Sequence, residues 1–191
     1  PTLSQPTILV FAADHGIAAE GVSAFPSEVT GQMVANFLAG GAAISVLARQ
    51  HGIELQVIDA GVASDLSGLH GLVDRKIAPG TTNMLSGPAM TTSQAEAAIQ
   101  AGRRLVDDLQ TNGTNVVGFG EMGIGNSSAA AMVMALMLEL PVADCVGAGT
   151  GLAGDRLAHK SAILTRVQAR AESDISGKPS DQPNLVLQHC G

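Results

Sequence analysis

Aromatic side chains are nearly missing from this chain: there are four phenylalanines, no tyrosine and no tryptophan. Surfaces that bind nucleic acid need an excess of positive charge, and those that hold single strands stack bases on aromatic rings. Lysine occurs only at Lys76, Lys160 and Lys178, and the formal net charge is −7. Together these shortages argue against nucleic acid as a partner, while a local basic pocket for a small phosphate stays compatible with them. Cysteine is confined to Cys145 and Cys190. Neither metal spacing nor a disulfide pattern is present, so a reduced, cytoplasmic setting is expected. Histidines 51, 70, 159 and 189 lack ligand spacing, and no metal or other cofactor is expected. The longest apolar run, Ala129 to Leu138, is far too short to cross a bilayer, and no secretory signal is visible. No membrane partner is expected.

Glycine is abundant instead, 23 in 191 residues, in a chain that is 46 % apolar. Apolar runs that end in glycine turns and alternate with helical patterns predict an α/β fold with parallel strands and right-handed crossovers. Strands are expected at Thr7 to Ala12, Leu55 to Ile58, Leu72 to Ile77, around Val116, at Val142 to Val146, and at Leu185 to Leu187. Helices are expected from Ser27 to Gln50, with a break at Gly40-Gly41, from Ser93 to Leu109, Ser127 to Leu138 and Arg156 to Glu172. Ser93 to Glu96 fits a capping box. In such sheets ligands bind beyond the carboxyl ends of the strands, so the polar turns after the strands should gather at one rim.

The stretch from Gly118 to Ser128 (GFGEMGIGNSS) carries the most chemistry. An apolar run, a glycine-rich turn and a helix start form an anion cradle: glycines let the backbone approach a phosphate, and the helix amides and dipole favour negative charge. Asn126, Ser127 and Ser128 are good N-cap residues and can add side-chain contacts. Glu121 would repel a phosphate, which suggests that it faces another part of a ligand. A second glycine turn, Gly147 to Gly151, precedes a helix with Lys160 in its first turns. Each turn alone could be ligand-free. Two turns with a lysine nearby favour a phosphorylated ligand. Both also match GxGxxG, but the acidic residue expected at the end of the next strand of a dinucleotide fold is missing. Gln32 could donate to a heterocycle nitrogen or face water, Met122 could line a pocket or pack, and Asp14-His15 could be a catalytic pair or rim residues.

Four blocks extend the picture: AADHGIAAEGVSAFPSEVTGQMVANFLAGGAAISVLA from Ala12, VIDAGV from Val57, GFGEMGIGNSSAAA from Gly118 and VGAGTGLAGDRLAHK from Val146. In this order the sequence resembles the nicotinate-nucleotide–dimethylbenzimidazole phosphoribosyltransferases of cobalamin synthesis. The resemblance implies a doubly wound, Rossmann-like parallel sheet with helices on both faces, a homodimer, and transfer of phosphoribose from nicotinate mononucleotide to 5,6-dimethylbenzimidazole, giving α-ribazole phosphate and nicotinate. It places the phosphate at Gly123, Gly125, Asn126, Ser127, Ser128, Gly149, Thr150 and Lys160. Glu121 lies at the ribose and reaction centre, and Ser27, Gln32 and Met122 line the benzimidazole pocket. The resemblance also implies that family members are longer at both ends, that these further parts build a small helical domain around the site, and that the glutamate regarded as the general base lies beyond Gly191. Residues 1–191 are thus expected to be a single α/β core incomplete at both ends, with a non-catalytic binding module for a phosphorylated riboside as the alternative.

Overall fold

The computed structural model describes residues 2–191. The chain forms two compact units, each assembled from separate segments. The first comprises the segment ending at Ala13, Glu28–Pro79 and Glu96–Gly123; the second comprises Asp14–Ser27, Gly80–Ala95 and Ile124–Gly191.

The first unit holds the sheet. Strands β1 (Thr7–Ala13), β2 (Glu54–Gly61), β3 (Leu72–Asp74) and β4 (Val117–Met122) are all parallel, in the order β3-β2-β1-β4. Side chains alternate between two buried faces, which is why β1 reads as a continuous apolar run rather than an amphipathic one. Leu9 and Ile58 pack with Leu105 and Leu109 of α3 (Thr92–Thr111), whereas Ala12 and Val57 pack with Val34 of α1 (Glu28–Leu38), Val62 and Leu66. Complete burial of a side chain such as Leu9 or Ile58 contributes roughly 1.5–3 kcal/mol. Strand order runs outward from β1 to β3 and then returns to β4 on the other side of β1, so the unit is doubly wound and its switch point lies between β1 and β4.

The apolar stretch Glu28–His51 has the length and composition of a membrane span. The structure divides it into α1 and α2 (Ala43–His51), with Gly40 at φ +79° between them. Each is well short of the roughly 20 residues a span requires.

The second unit packs α4 (Asn126–Leu138), α5 (Asp155–Asp174) and α6 (Pro183–Cys190) around Ile17, Met132, Leu136, Leu164, Val167 and Val186. Two expected strands fail here. Val142–Asp144 forms a single 3-10 turn after Pro141, with Val142 buried in the core. Leu185–Leu187 lies inside α6, which starts at Pro183 and buries Val186, His189 and Cys190 at helical spacing. Short apolar runs do not separate strand from helix, and Pro at the first helical position was the available signal. Cys190 is fully buried, and burial pushes its thiol up to about 12, so it stays protonated and unreactive.

Two helix starts also move. The capping box lies two residues before the expected one: the Thr91 hydroxyl accepts from Gln94 N (3.2 Å) while Gln94 Oε1 accepts from Thr91 N (2.8 Å). At α4 the N-cap is Gly125 in the left-handed region, not a serine or asparagine. Gly118 and Gly120 belong to β4 rather than to a turn, and the second glycine turn follows no strand. Neither GxGxxG match therefore has the strand–turn–helix setting of a dinucleotide fingerprint.

Candidate anion site and strand-end residues

In the second unit α4 begins where the chain leaves a left-handed glycine. Gly125 has φ +98°, and a Cβ there would fall 2.9 Å from the His15 Cβ, so only glycine fits. The Gly125 carbonyl takes the amides of Ser128 (2.9 Å) and Ala129 (3.3 Å). Those of Asn126 and Ser127 precede the helical ladder, which offers them no acceptor. Because glycine caps the helix, the polar side chains of its first turn are not consumed by capping. Ser127 is exposed and its hydroxyl accepts from Lys160 Nζ at 2.9 Å. The Ser128 hydroxyl is fully buried and has no hydrogen-bond partner among the described residues.

Lys160, on α5, is 0 % exposed. Its ammonium donates to Ser127 Oγ and to Gly147 O (3.2 Å), and none of the ion pairs among the described residues includes it. Burial holds its pKa below the usual lysine value. A buried ammonium without a carboxylate is an unfavourable charge that an incoming anion would offset. The second glycine turn closes over it: at Gly149 (φ +56°) a Cβ would lie 2.6 Å from Ser127 Oγ and 3.2 Å from Lys160 Nζ. Gly149, Ser127 and Lys160 are thus in mutual contact, as a two-turn cradle requires.

Thr150 has a different engagement. Its hydroxyl accepts from Ala24 N (3.0 Å) and hydrogen-bonds to Ser23 Oγ (3.1 Å). Arg156, in the first turn of α5, donates to Ser23 O (3.1 Å), and His159 Nε2 meets Glu20 O at 2.7 Å. Asp14 is buried and His15 is half-buried beside Gly125; burial lowers the His15 pKa, and the Asp14 carboxylate partly offsets that.

The first unit carries Glu121, Met122, Gly123 and Gln32. Glu121 is the last residue but one of β4, beside the switch point and in register with Phe11 of β1. It is exposed and borders a largely apolar cavity of about 320 Å³ lined by Ile8, Val10, Phe37, Ile44 and Phe119. Met122 packs against the cluster of Ala12, Val34 and Val57, and Gln32 is exposed on α1. Ser27 closes a segment of the second unit and is half-buried.

Two polar clusters went unrecognised in the sequence. Asp59, buried at the end of β2, accepts from the amides of Gly61 and Val62 and pairs with Lys76 at 3.1 Å. An acidic residue directly after an apolar run was the signal for it. The other, centred on Arg170, joins Asp174 at i+4 with His189 and the Met84 carbonyl, and sequence spacing gives no sign of the last two. Among the described residues no group of His, Cys, Asp and Glu could hold a metal ion.

A family model described as Phosphoribosyltransferase matches residues 1–191. The nicotinate-nucleotide–dimethylbenzimidazole phosphoribosyltransferase of Cupriavidus necator is 56 % identical over 169 residues, 88 % of this chain and 49 % of that protein. The protein of that name from Aromatoleum aromaticum is 48 % identical over all 191 residues, 54 % of its length. The crystal structure of CobT from Thermus thermophilus superposes with a TM-score of 0.90 at 43 % identity, covering 100 % of this chain and 56 % of that one. The chain spans about half the length of the curated relatives it matches.

Proposed function

This chain belongs to the phosphoribosyltransferase family, and from that premise we propose that it transfers phosphoribose from nicotinate mononucleotide to 5,6-dimethylbenzimidazole. The products are α-ribazole phosphate and nicotinate. One observation carries the reading: Lys160, buried without a carboxylate, meets Ser127 and the Gly149 turn at the start of α4. Such a charge is best explained by a phosphate that replaces the missing counter-ion.

In this reading the donor phosphate takes Gly123, Gly125, Asn126, Ser127, Ser128, Gly149, Thr150 and Lys160. Thr150 contributes its backbone, since its hydroxyl is occupied. Ser27, Gln32 and Met122 take the benzimidazole. The glycosidic C–N bond to the pyridinium breaks, and nicotinate leaves with the bonding pair, so its ring becomes neutral. A benzimidazole nitrogen forms the new bond to the ribose carbon, and its proton passes to a base. The Glu121 carboxylate stabilises the positive charge that develops on the ribose. Proton removal is not assigned to it. The carboxyl end of a strand at a switch point is where such a group is expected in a doubly wound sheet.

The homodimer, the reduced cytoplasmic setting and a single α/β core over residues 1–191 belong to the same proposal. Both cysteines are free. Calorimetric titration with nicotinate mononucleotide, with Lys160→Ala alongside, tests the assignment. Binding that weakens at least about tenfold in the variant is expected, because a charge-assisted contact is lost. Adding 5,6-dimethylbenzimidazole should then release nicotinate. Equal binding by both proteins would move the phosphate away from Lys160.

A further inference from the structure

We propose that Thr150 is a positioning residue that passes anion occupancy of the Lys160 cradle to the segment Ser23–Phe25. The proposal rests on the anion reading of that cradle. In the structure the Gly147–Gly151 turn lies directly on the ammonium. Gly147 O accepts from Nζ, and the Gly149 backbone leaves too little space against Ser127 Oγ and Nζ even for a methyl group. Nζ has no exposed surface, so a phosphate that reaches it must shift what covers it, and this turn is in direct contact with it. Thr150 moves with Gly149, because one peptide bond joins them.

Two hydrogen bonds carry that displacement onward. Thr150 Oγ1 accepts from the Ala24 amide at 3.0 Å and bonds to Ser23 Oγ at 3.1 Å. Ser23 Oγ in turn accepts from the Phe25 amide at 3.3 Å. The other anchor of the segment is Arg156, through Ser23 O. Arg156 belongs to the first turn of α5, the helix that also carries Lys160. The segment is therefore held on one side by a helix and on the other by the turn the anion must move. Phe25 is 52 % exposed, an aromatic ring with little burial to anchor it. It precedes Pro26 and Ser27, the residue assigned to the benzimidazole. Phosphate that shifts the glycine turn and holds it in its new place will order Ser23–Phe25 through Thr150, so the donor prepares the chain around Ser27 before the acceptor base arrives.

Amide hydrogen exchange resolved by NMR, with inorganic phosphate as probe, tests this without turnover. In the unaltered chain, phosphate is expected to slow exchange both in Gly147–Gly151 and at Ala24 and Phe25. The second effect should be about fivefold, the worth of one neutral hydrogen bond as an equilibrium constant. Thr150→Val keeps the branched shape and removes the hydroxyl. It should retain slowing in the turn and lose it at Ala24 and Phe25, while Thr150→Ser restores both. A purely structural Thr150 would change exchange equally with and without phosphate. Slowing confined to the glycine turn in the unaltered chain overturns the proposal alone. So does slowing at Ala24 that survives in Thr150→Val. No slowing in the turn itself overturns the anion reading and this proposal with it.

Discussion

Ser128 places a buried hydroxyl in the first turn of α4 where no acceptor among the described residues reaches it. A buried, unsatisfied hydroxyl costs about 1–3 kcal/mol, and alanine is the better helix former. Ser128→Ala is therefore expected to raise stability by about 1 kcal/mol in chemical denaturation. If the hydroxyl serves the phosphate, the same variant will bind nicotinate mononucleotide less tightly. Lower stability would mean that the oxygen has a partner. Gly149 is constrained in the opposite sense. Its φ of +56° is the left-handed region, and an added methyl group would meet Ser127 Oγ at 2.6 Å. Gly149→Ala should cost about 1–2 kcal/mol in stability through backbone strain. Donor affinity should drop by more than tenfold, because Ser127 and Lys160 must also shift. Unchanged affinity by calorimetry would remove the turn from the site.

At the scale of elements, α6 is held to its neighbours by a histidine that must stay neutral. Arg170 donates to His189 Nδ1 (3.1 Å), to His189 O (3.3 Å), to Met84 O (3.0 Å) and to Asp174 Oδ2 (2.8 Å). The His189 ring accepts at Nδ1, so its proton sits on Nε2. Burial lowers its pKa most, the Arg170 charge adds to this, and Asp174 opposes both. The folded state then binds fewer protons than the unfolded state just below the ordinary value of 6.5. Stability must fall as pH drops from 6.5 through the lowered value and level off beneath it. His15 contributes with the same sign. Melting temperatures measured from pH 6.5 down to about pH 5.5 should show the decline before most carboxylates titrate. His189→Asn, which keeps an acceptor near Nδ1, should flatten part of it. A decline unaltered in that variant would place its cause elsewhere.

The same helix shows how far the sequence could be read. Thr7 to Ala12 announces a strand buried on both faces because six residues in a row avoid charge, and the glycine break at 40–41 is visible because glycine ends helices. The run Leu185 to Leu187 is too short to show a period, and what makes it helical is the packing of Val186 and Cys190 into a core built from α4 and α5. Val142 is likewise drawn into that core by Met132 and Leu164, which no local pattern reveals. For the site, the glycine turns and Lys160 were legible because their spacing reflects local backbone needs. The Thr150–Ala24 bond and the Arg170–His189 pair join residues 126 and 19 positions apart, and residue type alone does not predict such partners.

For the whole molecule the question is how a chain of formal charge −7 would hold the phosphate dianion we propose. Its lysines are few, and the one that matters lies out of contact with water, so its field is screened little by salt. Without ligand that charge is a burden. Folding lowers the Lys160 pKa, so the cost is fully present at neutral pH and fades only as pH rises through the lowered value toward 10.5. Lys160→Met removes the charge but leaves Ser127 and the Gly147 carbonyl without their donor, so the ligand-free gain is limited to about 1 kcal/mol. With ligand the order should reverse. A donor at a hundredfold its Kd stabilises the unaltered chain by about 2.7 kcal/mol, and a chain of this size gains about 2–4 °C per kcal/mol. The melting temperature of the unaltered chain should therefore rise by about 5–10 °C on adding nicotinate mononucleotide. Lys160→Met should start slightly higher and scarcely move, so that the two curves cross as donor is added. Parallel curves would show that the buried ammonium does not serve the donor. A variant that melts lower without ligand would show that Lys160 is a structural member of the second unit, stabilised by its two hydrogen bonds despite its charge.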